Sequence, residues 1–334
     1  MTKPTTGICA PVYSLRSRDD AGIGDFGDVR LLIDLVSALG LEKVVLQNLA
    51  DNSFAGGGEP VYPVYIDLRP LAEVIRHDKI SAYEAKAAEL NQYRQIDYAK
   101  VYNVKMHLLH ERYLQDGGQI LSSEAYHAFW KSNREWLESY SVFCTLRHKY
   151  GTGNSRYWSE PDYKRLLEDG NFINEYSDDI RFHLYVQFLL HSQLQDTKDY
   201  AATKGVSLCI SNETSRNVFL RQWWATLPDV ERASYYNIRL GICGETPETL
   251  EPWLAEAVIM QKMAESASEV ILPAEDWLSM TTLVGGDAHQ AADSETAGST
   301  PDSWHYRMDF ALDGILSHRA LLDSVRNAVA DSMK

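Results

Sequence analysis

Apolar and polar residues follow two periods along this chain. Residues 7–15 and 43–49, rich in Val, Leu and Ile, read as strands. Between them, residues 27–40 repeat apolar side chains at helical spacing and end on a glycine suited to a helix C-cap. The opening is therefore a βαβ unit. From residue 81 to residue 150 the period is helical throughout, with Val104, Leu108 and Leu109 on one stripe and Phe129, Trp130, Trp136 and Leu137 on another. This predicts a helical insertion. A loop over 151–160 precedes a helix over 179–204, and Gly205 separates that helix from residues 206–210, a strand of buried character. Residues 216–224, 231–240 and 247–263 are helical by period, 269–273 is a short strand, and 306–333 is a closing helical region. Residues 285–303, rich in Gly, Ala, Ser, Thr and Asp, carry no period and read as a surface loop. Strands alternating with helices predict a parallel α/β architecture, with any site at the C-terminal ends of the strands.

Composition narrows the partners. The 334 residues carry 32 Lys and Arg against 47 Asp and Glu, a formal net charge of −15, which opposes binding to nucleic acid or to an anionic membrane surface. Four cysteines, Cys9, Cys144, Cys209 and Cys243, stand apart without a CxxC or Cys/His cluster, so they read as free thiols of a reducing compartment. The histidine pairs His107/His110 and His183/His191 lack the spacing of a zinc helix, and no metal or cofactor is expected. No apolar run reaches about 18 residues and no signal core follows Lys3, so a cytoplasmic protein is expected. The 19 Tyr and 8 Trp suit sugar stacking, as they also suit ordinary burial.

Particular motifs go further. Ser14-Leu15 followed by Gly22-Ile23-Gly24-Asp25-Phe26-Gly27, then Gln47 with Leu49, then Pro63-Val64-Tyr65-Ile66-Asp67-Leu68, resemble the first- and second-strand signatures of glycoside hydrolase family 77, the amylomaltases and disproportionating enzymes. The stretches 143–152 and 185–206 are similar to the larger subgroup found in plant cytosol and Bacteroides-type bacteria. After Ile210 the resemblance jumps: Ser211-Asn212-Glu213-Thr214 with Arg221-Gln222-Trp223-Trp224 is similar to a segment that lies much further along the family's chain. From there it continues through Cys243-Gly244-Glu245, Glu275-Asp276-Trp277-Leu278 and Trp304-His305-Tyr306-Arg307-Met308.

The resemblance implies an incomplete (β/α) barrel of the TIM type with a helical insertion. Residues 1–78 would form its first βαβ part, 79–178 the insertion, and 179–334 the remaining strands and helices, with a hybrid junction near 206–214. It also implies 4-α-glucanotransferase chemistry, the transfer of α-1,4-glucan segments, with α-1,4-glucan or maltooligosaccharide as ligand. Retaining transfer needs a carboxylate nucleophile and a second carboxyl group as acid and base about 5 to 5.5 Å away. The family carries these on an Arg-x-Asp-His-Phe-Arg and a Glu-Asp-Leu-Gly segment, and neither occurs in this sequence. Glu213 is the remnant of the family's third catalytic carboxylate, in an Asn212-Glu213 pair where the family has His-Asp. Asp25, Asn212 and Ser299 are the candidate substrate contacts, Asp25 being equally a cap for the helix that follows it. Ala50, Ser299 and Gly56-Gly57-Gly58 replace residues that in the family are Pro, Asn and a Ser-Pro-Tyr acceptor motif. Three readings result: a family protein without transferase chemistry that retains at most weak glucan binding, an enzyme with carboxylates recruited from Asp25, Asp51, Glu213 or Asp276, and a protein-interaction module that uses the insertion. Two open sheet edges in such a half barrel also predict a homodimer.

Overall fold

The computed structural model describes residues 3–75, 77–159, 177–211, 218–283 and 302–332. In chain order the regular elements begin with β1 (Thr5–Pro11), α1 (Phe26–Ala38) and β2 (Lys43–Gln47). Three helices follow, α2 (His77–Asn91), α3 (Tyr98–Ile120) and α4 (Glu124–Tyr150), and then α5 (Ser177–Thr203) leads into β3 (Ser207–Ser211). Next come α6 (Leu220–Thr226), α7 (Asp229–Ser234) continued by one π turn, and α8 (Pro252–Glu265). The chain closes through β4 (Glu269–Leu272), α9 (Ala274–Leu278), α10 (Leu312–Leu316) and α11 (Arg319–Ser332). The predicted first strand stops earlier than its apolar run, because residues Val12–Ser14 wind into a 3₁₀ turn in which Ser14 Oγ donates to Pro11 O at 2.9 Å.

The chain divides into two compact units, one made of Met1–Arg18, Gly27–Asn48 and Thr197–Lys334, the other of Asp19–Phe26 and Leu49–Asp196. The first holds a four-stranded, wholly parallel sheet of order β3-β2-β1-β4. That order, with helices between the strands, is part of an α/β barrel. Ile8, Val44 and Leu46 are fully buried. Gly7 faces the other side, and a Cβ there would meet Ile271 Cδ1 at 2.9 Å as well as the backbone of Lys43. Across this gap Lys43 Nζ reaches Glu269 Oε1 at 2.7 Å.

The same device delivers the chain into two strands. Gly40 after α1 (φ 71°) and Gly205 after α5 (φ 69°) take the left-handed conformation, with Leu41 N donating to Val36 O and Val206 N to Ala201 O. These are Schellman closures, and they turn each helix back onto the sheet. The third strand differs from expectation. Ser207 and Ile210 are exposed, because β3 has β2 alone as a strand neighbour among the described residues.

The second unit is largely helical: it holds α2, α3, α4 and most of α5, with the loops that join them. Helices α3 and α4 start on side-chain caps, Asp97 Oδ1 accepting from Lys100 N at 3.0 Å and Ser123 Oγ from Tyr126 N at 3.1 Å. The loop from residue 49 to residue 68 makes one antiparallel bridge, Ala50 to Val61. Besides its own backbone turns, it is held by two glutamines of α5. Gln187 accepts from Val61 N and donates to Val61 O (3.1 and 2.8 Å), and Gln193 does the same for Asp67 (2.9 and 2.7 Å). Each side-chain amide thus satisfies both backbone groups of one loop residue.

Candidate functional site

Barrel chemistry sits where strands end. In the first unit, the 3₁₀ turn after β1 is tied to the C-terminal segment: Met308 N donates to Ser14 O and Leu312 N to Arg16 O, both at 2.8 Å. This brings the Trp304 ring to 5.5 Å from Tyr13, whose hydroxyl burial pushes up to about 12. Tyr306 lies 5.5 Å from Phe219 and donates to Glu275 Oε1 at 2.7 Å. Asp276, the next residue, accepts from Leu220 N at 2.7 Å at the start of α6. Burial raises its carboxyl to about 7, against the lowering effect of the Leu220 N–H. These aromatic rings are of the kind that stack on sugar faces.

Glu275 and Asp276 follow β4 closely. They lie in the first turn of α9, both buried. Successive helical residues point about 100° apart, so each takes its own partner and they share no substrate atom.

The second unit contains Asp25. It is 3% exposed and lies between two cations, Arg69 Nη2 at 2.7 Å from Oδ1 and Lys105 Nζ at 3.2 Å from Oδ2. Burial pushes the Asp25 carboxyl up, with the Asp67 charge, while Lys105 and Arg69 oppose the shift. Lys105 is fully buried and also donates to Val64 O and Ile66 O at 2.8 and 2.9 Å. The tight turn before Asp25 is held by Asp20, whose Oδ1 accepts from Gly22 N at 2.7 Å. Asp51 is likewise engaged: Tyr140 and Arg147 both donate to its Oδ2 at 2.8 Å, and Ser53 binds Oδ1 through its backbone and hydroxyl. Every recruitable carboxylate among the described residues, Asp25, Asp51 and Asp276, is buried against a donor of its own.

A sequence profile for the 4-alpha-glucanotransferases, glycoside hydrolase family 77, matches residues 10–215, more than half of the chain. The chain belongs to the 4-alpha-glucanotransferase family. The rice (Oryza sativa subsp. japonica) 4-alpha-glucanotransferase DPE2 is 27% identical over 219 residues, which are 60% of this chain and 23% of the rice protein. The Chlamydia muridarum 4-alpha-glucanotransferase is 26% identical over 257 residues, 71% of this chain and 47% of that protein. The chain thus spans less than half the length of these two relatives. Amylomaltase from Streptococcus agalactiae, solved in complex with acarbose, shares the fold at a TM-score of 0.51 and 18% identity, covering 62% of this chain and 43% of its own.

Of the residues assigned from the 4-alpha-glucanotransferase motifs, Asn212, Glu213 and Ser299 lie outside the described residues, as does most of the predicted loop over 285–303. Asp25 alone can be placed, in the ion-paired cluster. Sequence reasoning missed Lys105, Arg69, Arg147 and the two glutamine clamps. Lys105 left a trace: with Val101, Leu108 and Leu109 it occupies the buried stripe of α3, where a lone cation demands a buried anion. Among the described residues, no group of three or more His, Cys, Asp or Glu is arranged to hold a metal, and no helix is long and apolar enough to cross a membrane.

Proposed function

We propose that this chain is a cytoplasmic 4-alpha-glucanotransferase-family protein of the larger subgroup, one that holds α-1,4-glucan weakly and does not itself carry out transfer. The observation that carries the reading is the sequence jump after Ile210. Neither the Arg-x-Asp-His-Phe-Arg nor the Glu-Asp-Leu-Gly segment, to which the resemblance assigns the nucleophile and the acid/base, occurs in the sequence. Removing members of a catalytic unit leaves little beyond binding. The recruited-carboxylate reading is disfavoured by the partners of Asp25, Asp51 and Asp276, which hold these groups as struts. Glu213 would then be a remnant of the catalytic set, and Asn212 and Ser299 would contribute at most sugar hydroxyl contacts.

Calorimetry with maltoheptaose tests this. A cleft that covers part of a sugar chain should bind with a dissociation constant of roughly 1 mM or weaker. Micromolar affinity would mean a complete groove and overturn the reading. No heat at tens of millimolar would remove glucan from it.

A further inference from the structure

The sheet of the first unit ends in two edges. β3 pairs with β2 and β4 pairs with β1, and among the described residues no other strand joins either side. Parallel βα sheets bury both faces, and the (β/α) barrel closes at eight strands. Four strands supply half of that number.

The exposed edge has the character of an interface. Ser207 N donates to Glu42 O at 2.8 Å, so Ser207, Cys209 and Ser211 direct their backbone groups towards β2. By the alternation of a strand, Leu208 and Ile210 direct theirs to the open side. Edges meant to stay open are blunted with Lys or Pro inside the strand. Neither β3 nor β4 contains one, and the only charge on either, Glu269, is held by Lys43. On β3 itself the large apolar side chain of Ile210 is 40% accessible.

We propose that two copies of this chain close one eight-stranded parallel barrel about a two-fold axis running along the barrel, with β3 of each copy paired to β4 of the other. The occupant is a second copy because the two edges of one sheet are different and complementary. A two-fold along the barrel axis keeps all eight strands parallel and satisfies both edges with a single operator, leaving none for further growth. The strands differ by one residue in length, five in β3 and four in β4. Such an interface should bury more than roughly 1,000 Å². It would bring four strand ends from each copy onto one rim, so the site at that rim would be incomplete in a single chain. The proposal does not depend on glucan binding and is tested without glucan.

Sedimentation and light scattering of the full chain across a hundred-fold concentration range decide it. The expected species has twice the 37.8 kDa of one chain. Ile210→Pro removes an outward N–H without touching the bonds to β2, and Ile210→Lys puts a charge at the same exposed edge. Either should weaken the dimer by about ten-fold or more while circular dichroism and the cooperative melt are kept. If the proline variant fails to fold, the lysine variant decides. Leu114→Lys, at an exposed position of the other unit, should leave the dimer unchanged. A cooperative monomer at every concentration, a dimer indifferent to both Ile210 substitutions, or polydisperse aggregate in place of a discrete dimer would each overturn the proposal.

Discussion

Lys105 is fully buried and has three acceptors, Asp25, Val64 O and Ile66 O. Taking it away leaves two carbonyls and part of a carboxylate without their donor, so Lys105→Ala should cost about 3 to 5 kcal/mol in a urea titration. Lys86→Ala, at an exposed site of α2, should cost less than about 0.5 kcal/mol. A Lys105→Ala loss below about 1 kcal/mol would show that the cluster is not a structural strut. Asp276 gives a prediction with a pH signature. Its folded carboxyl titrates at about 7, against about 4 in an unfolded chain, so the folded state holds this proton more tightly. The resulting stabilisation is complete below pH 4, declines as pH rises from 4 to 7, and is gone above. Asp276→Asn keeps an acceptor for Leu220 N and removes the titration. The stability of the unsubstituted chain relative to this variant should therefore fall by about 4 kcal/mol from pH 4 to pH 7.5. A flat difference would contradict the raised carboxyl. Residues of this kind were only partly legible in the sequence. Asp25 was singled out by its motif, but its partners lie 44 and 80 positions away, and no local pattern connects them.

At the scale of elements, period and punctuation were enough to find β1, α1, β2, α5 and the glycines that close the two helices, because these features are local. The exposure of β3 was not legible. Its Leu-Cys-Ile run reads as buried, and only the sheet order shows that nothing but β2 flanks it. Nor did the sequence reveal that glutamines clamp the loop from residue 49 to residue 68, since a side-chain amide replacing a strand leaves no periodic mark. The two closing glycines separate strain from contact. A Cβ at Gly205 meets nothing within 4 Å, so Gly205→Ala carries the left-handed penalty alone, about 1 kcal/mol. At Gly40 a Cβ would meet Arg326 Cγ at 2.9 Å, where that arginine donates from Nε to Ala38 O at the end of α1. Gly40→Ala should therefore cost more than Gly205→Ala by about 0.5 to 1 kcal/mol in denaturant melts. Equal costs would show that the Arg326 cap contributes nothing.

For the whole molecule, family membership and the partial barrel were both legible, because the motifs of β1 and β2 and the later Glu275-Asp276-Trp277 and Trp304–Met308 segments are short and local. The division into two units was not, since one unit gathers residues from three separate stretches of chain. The transfer reaction requires two carboxylates free to face one glycosidic bond. Here the described candidates are bound to Arg69 and Lys105, to Tyr140 and Arg147, and to Leu220 N. The most direct test is disproportionation of maltotriose by the purified chain, followed as released glucose. No glucose above the protein-free blank is predicted. Sustained release that is lost in Asp25→Ala or Glu213→Ala would contradict the absence of transfer chemistry and make this chain an active 4-alpha-glucanotransferase.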